Sequence, residues 1–157
     1  MNSPNHPQTS SSPHGDRSVQ DAGVTVEWLY GDRIVVFRLT DVSRKTVDAW
    51  SRLVLSEIAK VPVDQPLLFM HDVSAPGVGP TPTLATKVPG LHHAASHLKG
   101  RVAIVMAESI YGQLVSGFLH SRYMGSARQV NRGFTSYEEA LIWLAELLPD
   151  PAVDAGS

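Results

Sequence analysis

Apolar and polar positions alternate from Val24 to Tyr30 and again from Arg33 to Leu39, in two runs rich in β-branched and aromatic residues. That period of two predicts a pair of strands. Gly31-Asp32 lies between them, and glycine at the first central position suits a two-residue type II′ hairpin turn. The period then changes. Val47, Trp50, Leu53, Val54 and Ile58 recur at helical spacing up to about Lys60, behind Asp41 or Ser43 as N-cap. Pro66-Leu-Leu-Phe-Met70 is a short continuous apolar run, which between two helices reads as a buried parallel strand ending at His71-Asp72.

The stretch Val73 to Pro82 is dense in glycine and proline and predicts a loop. A short turn around Leu84 to Lys87 follows. Pro89 then suits the first position of a helix whose inward residues are Leu91, Ala95 and Leu98, with Gly100 at its end. Arg101 to Met106 reads as the next buried strand, and Ile110, Leu114, Val115, Phe118 and Leu119 as the stripe of another helix. Ala127 to Arg132 alternates as a half-exposed strand. Ser136 with Glu139, or Thr135 with Glu138, makes a capping box for a last helix that buries Tyr137, Ala140, Leu141, Leu144 and Leu148 and stops at Pro149. The order is ββαβαβαβα: an α/β single domain on a mixed, mostly parallel sheet of about five strands. Trp50, Phe69, Ile104 and Leu141 are expected in one core.

Residues 1–22 carry Pro4, Pro7, Pro13 and a serine run but almost nothing large and apolar, so a disordered tail is expected there, with 23–149 as the domain and 150–157 as a loose end. The formal net charge of −2 and the lack of a Lys/Arg run argue against nucleic acid as the partner. The chain has 0 cysteines, which excludes disulfides, thiolate zinc ligands and thiol catalysis. No apolar run approaches the roughly 20 residues of a membrane span. The expected setting is cytoplasmic.

The closing signature Arg132-Gly-Phe134-Thr-Ser136-Tyr-Glu-Glu139-Ala140-Leu-Ile-Trp143-Leu, the hairpin-plus-helix opening and the strand ending in Met70-His71-Asp72 together resemble the SpoIIAA-like branch of the STAS fold, a group that shades into the STAS/Sec14-like proteins. The resemblance covers roughly Val24 to Leu148. It implies a bacterial regulatory or signalling module that binds partners. In similar anti-sigma antagonists an Asp-Ser-Ser-Gly-like motif carries a phosphorylatable serine; this chain has Gly79-Pro-Thr81-Pro-Thr83-Leu at that place.

Candidate chemistry gathers between residues 71 and 97. His71, Asp72 and Ser74 fall at a strand end, where open α/β sheets place ligands. His71 could titrate, Asp72 orient it and Ser74 serve as nucleophile or phosphoacceptor; a plain strand-ending Asx turn uses the same residues. His93 and His97 are four apart, a spacing two metal ligands could use, with His92 beside them, but Ala94 stands where a His-Glu-x-x-His motif needs glutamate. No catalytic residue, metal or cofactor is assigned. The ligand- or partner-binding candidates are His71, Asp72, Ser74, Thr83, His92, His93 and His97. The leading expectation is a non-enzymatic regulatory or protein-interaction module. Behind it stands a small-molecule binding domain, for an apolar or anionic ligand, with a cleft under the 73–90 loop. A metal- or His-dependent hydrolase using His71 and the helix histidines comes third. The partner is expected to be a protein or a small ligand, with a homodimer open.

Overall fold

Two near-continuous apolar runs and an alternating hairpin assemble into one sheet. The structure, a computed structural model, describes residues 15–110 and 128–150. Six strands, β1 (Gly15–Asp21), β2 (Val24–Leu29), β3 (Ile34–Leu39), β4 (Leu67–Val73), β5 (Gly100–Met106) and β6 (Gln129–Phe134), lie side by side in chain order. β1–β2 and β2–β3 are antiparallel; β3–β4, β4–β5 and β5–β6 are parallel. Three helices are described: α1 (Arg44–Lys60), α2 (Pro82–Ala95) and α3 (Tyr137–Ala145). No helix among the described residues is long and apolar enough to cross a membrane.

Both faces of the sheet are covered, which is why β4 is apolar at successive positions instead of alternating. α1 and α2 pack on one face, around Val35, Phe37, Phe69 and Leu67. Two right-handed crossovers stepping the same way along a sheet leave their helices on the same side. α3 closes the chain and needs no crossover. It covers the other face, where Ala140 and Leu144 meet Met70, Ala103 and Val105. The core is therefore in two layers, and the single core expected for Trp50, Phe69, Ile104 and Leu141 is not formed. Trp50 and Phe69 belong to one layer, while Leu141 packs on the other.

Ser43 caps α1 by accepting from the Thr46 N–H at 3.3 Å, worth about 1 kcal/mol. Burial of Val47, Trp50, Val54 and Ile58 from that helix contributes roughly 1.5–3 kcal/mol each, so packing and not capping holds α1. Glycine is required at the start of β5: Gly100 has φ 155°, and a β-carbon there would collide with the Leu67 carbonyl.

Several boundaries differ from expectation. Gly15–Asp21, read as part of the tail, forms β1 and makes the sheet six strands wide. Its one aliphatic residue is Val19, half exposed, so it carries little apolar pattern. The β2–β3 connection keeps the expected register but closes at Leu29–Ile34, leaving four residues in the loop. Tyr30, Gly31 and Asp32 all have positive φ, which is not a type II′ turn. Burying Leu29 and Ile34 favours that last pair, while Tyr30 stays in solvent. β4 runs on to Val73, so His71 and Asp72 lie inside the strand. α2 begins at Pro82 behind the N-cap Thr81 and passes through Pro89, which was expected to start it. Pro89 has no N–H to give the Ala85 carbonyl, so the helix continues with one bond missing. Most of the stripe from Ile110 to Leu119 lies outside the described residues.

Candidate functional site

Strand alternation decides where the candidate side chains go. Successive residues face opposite sides of a sheet. His71 shares the α1/α2 face with Phe37 and Phe69, whereas Asp72 shares the α3 face with Arg38. The two cannot act as an orienter and its base. Asp72 is buried and fully engaged elsewhere. Its Oδ1 accepts from the Ser74 N–H at 3.1 Å and from the Ser74 hydroxyl at 2.6 Å, and its Oδ2 accepts from Arg38 Nε at 3.1 Å. This is the strand-ending Asx turn. Arg38 in turn donates to Glu27 at 3.2 Å and lies over the Tyr137 ring at 5.5 Å, tying α3 to the sheet. Burial raises the Tyr137 pKa, with the Glu27 carboxylate adding to the effect.

His71 instead lines a cavity of about 170 Å³ between α1, α2 and the sheet. The walls are apolar: Val54 and Ile58 from α1, Leu84, Val88 and Leu91 from α2, and Phe69, Val102 and Ile104 from the strands. Val78, Gly79 and Pro80 close one side. Val78 is the plug of that glycine- and proline-rich loop, buried to 1% exposure, with its N–H bonded to the Ala75 carbonyl at 3.1 Å. The glycine- and proline-rich loop is thus pinned to the domain through Val78.

The polar groups in this wall are few. His71 stacks on Phe37 with ring centroids 5.3 Å apart and meets Trp50 edge-on at 5.6 Å. Its Nδ1 accepts from Trp50 Nε1–H at 3.1 Å. A neutral ring then carries its proton on Nε2, and that N–H has no partner among the described residues. Burial pushes the His71 pKa down to about 4, with the His92 imidazole adding to the effect. His92, on α2, lines the same cavity, and burial lowers its pKa too. The Gln129 amide is spent on the Ala95 and Leu98 carbonyls, at 2.7 and 3.3 Å. Asn131 lines the cavity from the edge strand.

Of the seven candidates, His71 and His92 come together. Thr83 is half-buried in the first turn of α2 and its carbonyl accepts from Thr86. His93 and His97 are exposed, and α2 ends at Ala95, so the two do not share a helical face. No cluster of three potential metal ligands exists among the described residues. The sequence missed Trp50 as the group that fixes the His71 tautomer; it read as core, and only the register of β4 against α1 shows otherwise. Trp143 is half-buried against Phe134 and under the Arg101 guanidinium. Arg128 donates to the His97 carbonyl, and Arg132 lies over Phe134.

No family model and no curated protein matches the chain. Among solved structures, an uncharacterized protein of the DUF3478 family from Shewanella loihica PV-4, with a SpoIIAA-like fold, is similar at TM-score 0.51 and 18% identity, over 86% of this chain and 98% of that one. The chain has a SpoIIAA-like fold, as the resemblance in its sequence implied.

Proposed function

We propose that this domain binds a small, largely apolar molecule in the cavity between α1, α2 and the sheet. One observation carries the reading: an apolar cavity of about 170 Å³ whose wall holds His71, with an N–H that has no partner among the described residues. A dry cavity of about 150 Å³ in another protein takes up benzene, so the size suffices for a ring or a short chain. An N–H donor set in a wall this apolar offers a ligand one directional hydrogen bond beside the apolar contact. The role is binding and not turnover, because His71, Asp72 and Ser74 do not assemble and no other dyad forms in the described wall. Calorimetric titration with benzene tests it. Saturable binding is expected, lost in Ala95→Leu, which fills the cavity; heat no greater than dilution would refute the reading.

A regulatory, partner-binding role is the second reading. It is favoured by apolar residues left in solvent on the last strand and helix, Val130 at 59% and Ile142 at 66% exposure. A bound ligand would then tune a surface on the opposite face from the cavity.

A further inference from the structure

We infer that the cavity selects neutral molecules bearing a carbonyl on an apolar body, over hydrocarbons of the same shape and over carboxylates. The inference rests on the ligand-binding reading above and names the ligand's class. It follows from the proton on His71. Trp50 Nε1–H can only donate, so at 3.1 Å it requires a lone pair on His71 Nδ1. The ring is thereby held as the Nε2–H tautomer. Protonating it would set two N–H groups against each other. At neutral pH His71 is thus a donor and not a cation, and Phe37 stacked on its face holds the plane of the ring.

The complement of a fixed neutral donor is an acceptor. A carboxylate would supply one but would enter with a full charge. No lysine or arginine is among the described lining residues, and the nearby Lys87 ammonium is taken by Asp48 at 3.1 Å. Burying an anion there without a counter-charge is costly. A hydrocarbon would fill the space and leave the N–H unmet. A ketone or ester carbonyl meets both conditions: it accepts one hydrogen bond and brings no charge. His92, beside His71, is the cavity's second imidazole.

Three probes of one shape separate these cases: acetophenone, ethylbenzene and benzoate, titrated by calorimetry into the full chain. Acetophenone should bind about tenfold more tightly than ethylbenzene, the usual penalty for leaving a built-in donor unpaired. Benzoate should bind least. In ¹⁵N-histidine spectra, acetophenone should shift the His71 Nε2 resonance and ethylbenzene should leave it nearly unmoved. His71→Phe keeps a ring and loses the donor, so it should show no preference for acetophenone over ethylbenzene. If that variant does not fold, the three affinities and the Nε2 shift of the parent chain decide alone. Equal affinity for acetophenone and ethylbenzene overturns the inference and leaves the cavity reading standing. Tightest binding by benzoate, or a preference that survives in His71→Phe, overturns it too. If none of the three binds, the cavity reading falls with it.

Discussion

At His71, burial and one hydrogen bond act on the same proton. The ring titrates near 6.5 in an unfolded chain and near 4 in the folded one. Between those values the unfolded chain holds more protons, so stability rises with pH across the window and is lost as pH falls from 6.5 to 4. The full loss is on the order of 3 kcal/mol, and His92, lowered in the same direction, adds to it. Urea denaturation at pH 7 and pH 4.5 checks this: His71→Phe should flatten most of the difference, and an unchanged slope would count against a neutral buried ring. Trp50→Phe should raise the His71 pKa toward its ordinary value, read by NMR titration, since the bond that opposes protonation is gone. On the other face, Asp72 is the vulnerable group. Its carboxylate side chain is only 9% exposed and leans on Arg38, itself 39% exposed. Arg38→Met should destabilise the domain by roughly 1–2 kcal/mol in chemical denaturation, less than for a fully buried pair because Arg38 is partly in water. A change below a few tenths would make the pair ornamental.

Among the elements, β1 carries the clearest consequence. It covers the edge of β2, with Arg17 lying 4.0 Å from the Trp28 ring centroid and Asp21 accepting from Arg52 at 2.6 Å. Deleting residues through Asp21 should lower Tm by several degrees in calorimetry, because it strips a strand's hydrogen bonds and uncovers Trp28; an unchanged Tm would mean that β1 contributes nothing to the sheet. The composition of that segment pointed the other way, since a strand with one aliphatic residue and a solvated face gives no period-two signal. The strongly patterned elements were legible. The Val47–Ile58 stripe gave α1 almost to the residue, and Ser136 with Glu139 gave the cap of α3, whose Ser136 hydroxyl accepts from the Glu139 N–H at 3.3 Å. Proline misled where its two roles compete: Pro82 occupies the helix start, and Pro89, which reads as a start, is carried inside. The site was half legible. Of the residues marked between 71 and 97, His71 and His92 meet in one cavity wall, but the grouping of His71 with Asp72 ignored that adjacent strand residues part to opposite faces. Trp50 was invisible as a site residue because an aromatic on an apolar stripe reads as packing, and only the three-dimensional meeting of α1 with β4 gives its N–H a function.

Over the whole molecule, the sheet separates two environments. One face is closed by α3 and pinned by the polar set Glu27, Arg38, Asp72 and Tyr137 at its margin. The other, under α1 and α2, leaves room. Small apolar molecules should therefore enter the α1/α2 side and not the α3 side. Methyl-resolved NMR during a benzene titration measures this directly. Saturable shifts are expected at Val54, Leu91, Val102 and Ile104, with Val36, Leu68, Val105 and Leu144 unmoved. Shifts spread equally over both sets, or none in the first, would contradict it.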